Sequence, residues 1–166
     1  MTQPTNLPRL PCGSRPSPFI ELQQLLPSKI TAISPFIDRL MHFLKMLMSK
    51  VSDVDESQVD IQIALGEALA NAVIHGNRES PDKCVCVTCR FSMDGQILFT
   101  VRDEGEGFDS HAIADPTNRR NRLLANGRGI YLMRALMDEV CFDENGKVVH
   151  MRKSLRRHEQ GGNGCS

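Results

Sequence analysis

Residues 58–76 read QVDIQIALGEALANAVIHG, and their apolar side chains recur on nearly every side of one predicted helix that ends at Gly76. A helix of this kind is expected to be buried inside a layered domain. Glu67 lies among these apolar residues and shares a helical face with Asn71, four residues on. Burying a carboxylate costs several kcal/mol unless it is paired, so Glu67 is predicted to have a functional role.

Shorter elements are predicted on both sides of this helix. The order strand, helix, helix, hairpin, helix, hairpin predicts an α+β fold, a two-layer α/β sandwich with helices on one face of a mixed, mainly antiparallel sheet. The predicted elements are a strand over 19–25, a helix capped by Ser34 with Pro35 at its first position, a hairpin over 84–102 that turns at Asp94-Gly95, a helix over 129–137 and a hairpin over 140–151 that turns at Asn145-Gly146.

The chain has 166 residues, which is enough for one domain with a hydrophobic core. We expect a flexible proline-rich leader over residues 1–17, one folded domain over 18–153 and a flexible tail over 154–166. The polar stretch from Glu104 to Gly127 is long enough to form a lid over a site.

The charge balance excludes several classes of ligand. Lys plus Arg and Asp plus Glu number 20 each, and the pI is about 6.9, so no direct binding of nucleic acid is expected. No apolar run approaches the ~18 residues that a membrane span needs, and the N-terminus lacks the apolar core of a signal peptide. The sequence therefore predicts a cytoplasmic protein that does not bind membranes.

Three of the six cysteines are close together in a predicted strand. Cys84 and Cys86 are expected on one face of this strand and Cys89 on the other. Side chains on opposite faces of a strand do not converge on one tetrahedral zinc ion, and no second Cys/His pair completes the ligand set. Buried free thiols are the favoured interpretation.

Asp103 ends a predicted apolar strand, and Gly105 and Gly107 follow it. A carboxylate in an apolar pocket is a suitable acceptor for the amino group of adenine, whereas guanine would present a carbonyl. The glycines would allow the backbone to lie against the base. Taken alone, the Asp-x-Gly-x-Gly pattern is more often a turn with glycines at positive φ.

The block Gly127-Arg128-Gly129 leads into a predicted helix, whose free N–H groups and dipole favour phosphate. Arg128, or one of Arg119, Arg120 and Arg122, is a candidate partner for a terminal phosphate. The Asn71 oxygen suits Mg²⁺, with the nucleotide phosphates as further ligands. Glu67, one turn away, is placed to act as a base toward an attacking hydroxyl or water.

Together these blocks resemble the ATP-binding domains shared by gyrase, the ninety-kilodalton heat-shock chaperone, histidine kinases and the MutL repair ATPases. Within that superfamily the chain is most similar to the small bacterial anti-sigma-factor serine kinases. Residues 66–76 (GEALANAVIHG) resemble their Asn box, residues 101–108 (VRDEGEGF) their first glycine box and residues 127–133 (GRGIYLM) their second. The likeness extends from about Phe19 to Arg152.

The resemblance implies a Bergerat-type sandwich that binds Mg·ATP, with Asp103 on adenine, Asn71 on Mg²⁺ and Glu67 as the catalytic base. It also implies a serine/threonine protein kinase that acts as an anti-sigma factor. Such a kinase phosphorylates an anti-anti-sigma partner and sequesters a sigma factor. A homodimer is consistent with the family and with the uncovered face of the predicted sheet.

Two other functions fit the same blocks. One is a histidine-kinase catalytic domain that acts in trans, and the other is an ATP-binding module that sequesters a partner without kinase activity. A glutamate at the base position favours a serine or threonine acceptor, because imidazole is already nucleophilic near neutral pH.

Overall fold

In the computed structural model, residues 18–48, 54–107 and 125–155 are described. The predicted leader 1–17, residues 108–124 of the predicted lid with their arginines, and the tail beyond Leu155 lie outside the described residues. The strands are β1 (Phe19–Pro27), β2 (Cys84–Ser92), β3 (Gln96–Arg102), β4 (Glu139–Asp143) and β5 (Val148–Ser154). The helices are α1 (Ile33–Met48), α2 (Val54–Ala70) and α3 (Ala125–Leu136), with a 3-10 turn (Ile30–Ala32) before α1 and a π-helical turn (Asn71–Gly76) after α2.

The strands form one sheet in the order β1-β2-β3-β5-β4, and each neighbouring pair is antiparallel. Both predicted hairpin turns are confirmed. Gly95 has a φ of 88° between β2 and β3, and Asn145 and Gly146 have positive φ between β4 and β5. Positive φ at these positions lets each pair of strands reverse direction tightly.

One face of the sheet packs against the three described helices. Alternate residues of β2 point into this core, so Cys89 lies on the opposite face from Cys84 and Cys86, as predicted. Cys89 is buried, but Cys84 and Cys86 are only half-buried, so the prediction of buried thiols was right for Cys89 alone. The largest fully buried side chains come from both layers, among them Leu65, Leu69, Phe99, Met133 and Met151. The predicted two-layer α+β sandwich is confirmed.

The starts of all three described helices differ from the predictions, and α2 begins at Val54 instead of near Gln58. The 3-10 turn leads directly into α1, so Ser34 lies in the first turn of the helix and is not its N-cap. Helix α3 begins at Ala125 and includes Gly127 and Gly129. Glycine in a helix costs about 1 kcal/mol relative to alanine. Packing of α3 against α2 offsets this cost, because tertiary contacts supply most of the stability of helices in proteins.

The prediction that α2 is buried on nearly every side was wrong. Val59 is 57% exposed and Ile63 is 41% exposed, which leaves an apolar strip on the surface. Glu67 is half-buried rather than fully buried. The reason is that α1 and α3 cover two sides of α2, while a third side faces water.

The face of the sheet opposite the helices carries polar cross-strand pairs together with the exposed apolar side chains of Phe19 and Leu25. The polar pairs suit contact with water, and the apolar side chains leave the predicted alternative of a partner chain open. The pairs are Arg90 with Glu21, Arg102 with Glu144, Arg152 with Glu139 and Thr100 with His150.

The described residues include two that follow Lys153, the predicted end of the domain. Ser154 belongs to β5, and Leu155 is buried in the core. The described helices include none that is long and apolar enough to cross a membrane.

Candidate functional site

Glu67 and Asn71 meet α3 at Gly129. Both side chains are half-buried. A β-carbon at position 129 would lie 2.6 Å from Oε2 of Glu67 and 3.4 Å from Nδ2 of Asn71. The absence of a side chain at Gly129 therefore brings the backbone of the second glycine block directly onto the carboxylate and the amide.

The chain changes from α-helix to a π-helical turn at Asn71. In this turn the N–H of Asn77 donates to the carbonyl of Ala72 at 2.8 Å, which is five residues back. Single π-helical turns are frequent at functional sites. The turn begins at Asn71, which contacts α3, and ends at Gly76, which contacts the segment after β3.

Asp103 follows β3 directly, and its carboxylate is wedged between two glycines. A β-carbon on Gly76 would lie 2.6 and 2.7 Å from Oδ1 and Oδ2 of Asp103. The N–H of Gly105 donates to Oδ1 at 2.7 Å, and Gly105 packs against the carbonyl oxygen of Gly76. Any side chain at either glycine would displace the carboxylate or the carbonyl.

Burial raises the pKa of the Asp103 carboxyl above its ordinary value. The hydrogen bond from Gly105 and the positive charges of Lys147, Lys83 and Arg102 offset part of this rise. Among the described residues, only Oδ1 of Asp103 receives a hydrogen bond, so Oδ2 is available to accept one from a ligand.

Asn77 is a site residue that the sequence did not reveal. It is 1% exposed, its Oδ1 accepts from the N–H of Glu104 at 2.8 Å, and its Nδ2 donates to the carbonyl of Cys84 at 3.0 Å. Its only sequence signal is an asparagine after a helix-ending glycine, which is typical of an exposed turn. Its burial depends on tertiary packing.

The other predicted site residues have contacts or positions that point less clearly to a ligand. A β-carbon on Gly107 would overlap the carbonyl oxygen of Asn145 and lie 3.2 Å from Cγ of Lys147, so this glycine has a structural reason in the β4–β5 turn. Its φ of 82° is a second reason. Gly127 lies in the first turn of α3, and Arg128 beside it is exposed.

The hydrogen-bond donors and acceptors of these residues match those of a nucleotide with bound Mg²⁺. The carboxylate of Asp103 suits an amino group, and the second glycine block lies near the start of α3, which begins at Ala125. Within the described part of the chain, the side chains of Glu67 and Asn71 form no hydrogen bond with another residue, so their oxygens are available for a proton or a cation.

A family model described as histidine kinase-like ATPase domain matches residues 36–153. The chain is similar to the anti-sigma F factor of Heyndrickxia coagulans, with 35% identity over 99 residues that cover 57% of this chain and 67% of that protein. It is also similar to the serine-protein kinase RsbW of Bacillus licheniformis, with 34% identity over 122 residues that cover 69% and 75% of the two chains.

The serine-protein kinase RsbW of Staphylococcus epidermidis is 26% identical over 149 residues, which cover 86% of this chain and 94% of that protein. The fold is similar to the crystal structure of the RsbU and RsbW domains of a Mycobacterium tuberculosis protein, with a TM-score of 0.54 and 19% identity. That similarity covers 83% of this chain and 32% of the longer one, and it supports the fold alone. The family model and the two relatives above 30% identity carry the assignment: the chain belongs to the histidine kinase-like ATPase domain family, in the group that contains the anti-sigma factors and serine-protein kinases.

Proposed function

We propose that this chain is an ATP-dependent serine/threonine protein kinase that acts as an anti-sigma factor. The observation that carries the proposal is the contact of Gly129 with Glu67 and Asn71, because it joins the predicted base and metal ligand to the predicted phosphate-binding block. The names of the relatives, an anti-sigma F factor and serine-protein kinases, support the same activity.

Asp103 is the residue proposed to select adenine. Its free Oδ2 accepts a hydrogen bond from the adenine amino group, while Gly105 and Gly107 flank the base. A hydrogen bond to a charged acceptor contributes about 1.5–3 kcal/mol. Guanine places a carbonyl at the corresponding position, so the same carboxylate disfavours GTP.

The phosphate end of the nucleotide is assigned to α3 and α2. Gly127 lies in the first turn of α3, where free N–H groups and the helix dipole favour anions, and Arg128 and Gly129 follow it directly. Arg128 is exposed, which leaves its guanidinium free to reach a terminal phosphate. Asn71 would hold Mg²⁺ through its side-chain oxygen, and the cation, when bound, neutralises charge on the phosphates.

Glu67 is the proposed general base. It takes the proton from a serine or threonine hydroxyl while that oxygen forms a bond to the γ-phosphorus and the bond between the γ-phosphorus and the ADP oxygen breaks. A carboxylate is needed for a hydroxyl acceptor, since a hydroxyl is a weak nucleophile until it loses its proton. The acceptor is proposed to belong to an anti-anti-sigma protein.

A Glu67→Gln variant tests this function. Glutamine keeps the size of the side chain and its contact with Gly129 but cannot take a proton at neutral pH. We expect Mg·ATP affinity within about twofold of the parent and phosphate transfer lowered by about 100-fold or more. Calorimetry measures the first quantity and labelled phosphate on a purified anti-anti-sigma protein measures the second. Glu79→Gln, which changes an exposed carboxylate, is the matched control.

The other outcomes decide among the alternatives. Unchanged transfer by Glu67→Gln would remove Glu67 from the mechanism, and acid-labile phosphohistidine on the acceptor would favour a histidine kinase that acts in trans. ATP-dependent capture of a sigma factor without phosphate transfer would favour a sequestering module. Absence of heat on titration of Mg·ATP would refute the proposal as a whole. The homodimer and the cytoplasmic location stay predictions.

A further inference from the structure

Glu104 is tied to the start of β2 by its side chain as well as by its backbone. Its Oε1 accepts a hydrogen bond from the N–H of Cys84 at 2.8 Å, while its own N–H donates to Oδ1 of Asn77 at 2.8 Å. Nδ2 of Asn77 donates to the carbonyl of Cys84 at 3.0 Å. These three residues therefore form a closed ring of hydrogen bonds, which we call the Asn77 ring.

Asn77 is the buried residue of the ring, and both polar atoms of its side chain form hydrogen bonds. A buried amide is costly unless both its oxygen and its nitrogen are bonded, and both are bonded in Asn77. Its two partners are backbone groups of Glu104 and Cys84, so substitution of either partner's side chain leaves these two bonds in place.

The ring fixes the backbone on the C-terminal side of Asp103. On the N-terminal side, the N–H of Asp103 donates to the carbonyl of Lys147 at 3.0 Å. The peptide that contains the nitrogen of Glu104 is held by Asn77. With both flanking peptides held, the carboxylate of Asp103 has one position in which Oδ1 meets the N–H of Gly105 and Oδ2 stays open.

We infer that Asn77 and Glu104 are positioning residues that aim the carboxylate of Asp103 at the base of the nucleotide, an inference that rests on the proposed function. Their hydrogen bonds join them to each other and to Cys84, and they act through the backbone of residue 104. Their effect is therefore confined to the hydrogen bond that distinguishes adenine from guanine. A loss of ring contacts lowers the affinity for ATP and leaves the weaker affinity for GTP unchanged.

The sharpest test uses Glu104, because its side chain is exposed and its substitution does not open the core. Glu104→Ala removes the acceptor for the N–H of Cys84, and we expect a threefold to roughly tenfold loss of Mg·ATP affinity with Mg·GTP affinity unchanged. Glu104→Gln keeps an acceptor oxygen and should restore the ATP-to-GTP affinity ratio. Asp82→Ala, an exposed carboxylate two residues before Cys84, is the control.

Asn77→Ala removes both buried hydrogen bonds, and we expect about tenfold or greater loss of the ATP-to-GTP ratio if the variant folds. An equal loss of ATP and GTP affinity in Glu104→Ala would overturn the inference, since it would indicate general destabilisation. An unchanged ratio would also overturn it, as would failure of Glu104→Gln to restore the ratio.

Amide hydrogen exchange in the ligand-free protein separates this inference from the proposed function. Glu104→Ala should speed exchange at the N–H of Gly105, which bonds the Asp103 carboxylate, and Glu104→Gln should not. Unchanged exchange in Glu104→Ala would overturn the positioning role even where the parent protein binds ATP. Faster exchange in Glu104→Ala than in its parent, found together with a parent protein that binds no nucleotide, would support the ring and refute the proposed function.

Discussion

Oε2 of Glu67 lies against the α-carbon of Gly129, so close that a β-carbon there would be 2.6 Å from it. The two residues are far apart in the sequence and belong to α2 and α3. Their contact sets how α3 is placed along α2. It therefore links the geometry of the proposed base to the start of the helix assigned to the phosphates.

Substitution Gly129→Ala should displace the Glu67 carboxylate, because the new methyl group would occupy its place. We expect phosphate transfer to fall by about tenfold to 100-fold, since a misplacement of about 1 Å has effects of that size. Stability should change little, because alanine favours the helix by about 1 kcal/mol and offsets part of the strain. A transfer assay and urea unfolding measure the two effects.

Gly66→Ala is the matched control for this substitution. Gly66 lies in α2, and a β-carbon there would lie 3.7 Å from Cδ1 of Ile37, an ordinary contact. We expect a gain of about 0.5–1 kcal/mol in the free energy of unfolding and unchanged transfer. Equal losses of transfer in Gly129→Ala and Gly66→Ala would contradict the assignment.

Asp103→Asn should stabilise the ligand-free protein while weakening ATP binding. The folded state raises the pKa of this carboxyl, so it binds more protons than the unfolded state between the ordinary value of about 3.9 and the raised value. Stability therefore falls as pH rises through that window, and the charged form lowers stability at all higher pH. The variant should melt at a higher temperature than the parent near about pH 7.

The stability difference between Asp103→Asn and its parent should narrow as pH falls below about 4, where the parent carboxyl is protonated in both states. Differential scanning fluorimetry across pH measures this trend. A lower melting temperature for the variant at neutral pH would argue that the charges of Lys147 and Lys83 outweigh the cost of burial.

Lys153 connects strand β5 to helices α2 and α3. Its Nζ donates to Oδ2 of Asp60 at 2.9 Å and to the carbonyl of Leu136 at 2.5 Å, and its side chain is 15% exposed. Lys153→Met keeps the apolar stem but leaves both acceptors without this donor. We expect the free energy of unfolding to fall by about 1–3 kcal/mol.

A double-mutant cycle with Asp60→Asn separates the contribution of the ion pair from that of the hydrogen bond to the carbonyl of Leu136. The coupling free energy between positions 60 and 153 should be about 0.5 kcal/mol or more, because the pair is partly shielded from water. Urea unfolding of the four proteins gives this value. A coupling of zero would assign the whole effect of Lys153 to the carbonyl of Leu136.

The sequence predicted the order of elements and both hairpins, because the period of the strands and the Asp94-Gly95 and Asn145-Gly146 turns are local signals. It did not predict the exposed strip at Val59 and Ile63, since apolar composition does not specify which neighbours cover a helix. The same limitation applies to Glu67, whose burial was overestimated.

For the site residues too, the sequence predicted what local blocks specify and missed what depends on tertiary packing. Glu67, Asn71 and Gly129 were predicted from their blocks, and their mutual contact was found only when α3 was placed on α2. Asn77 was missed because its burial and its hydrogen bond to the N–H of Glu104 depend on a segment that follows two strands later in the chain. The extension of α3 back to Ala125, which includes Gly127, was missed because glycine is a poor helix former and its local preference was overruled by packing.

Cys89 should resist alkylation in the folded protein. Burial raises the pKa of its thiol to about 12, so the reactive thiolate is nearly absent at neutral pH. Iodoacetamide labelling mapped by mass spectrometry should modify the exposed Cys141 before Cys89, and Cys89 only after unfolding in urea. Comparable labelling of Cys89 and Cys141 in the native protein would contradict the buried position.

The strand order has a consequence for synthesis of the protein. Among the described strands β5 is the last along the chain, yet it lies between β3 and β4 in the sheet. A nascent chain can therefore pair β1, β2 and β3 early, but β4 gains its neighbour only when Ser154 has left the ribosome. Until then β3 carries a bare edge and Asp103 lacks the carbonyl of Lys147, so ribosome-bound intermediates should be open to chaperones and unable to select a nucleotide.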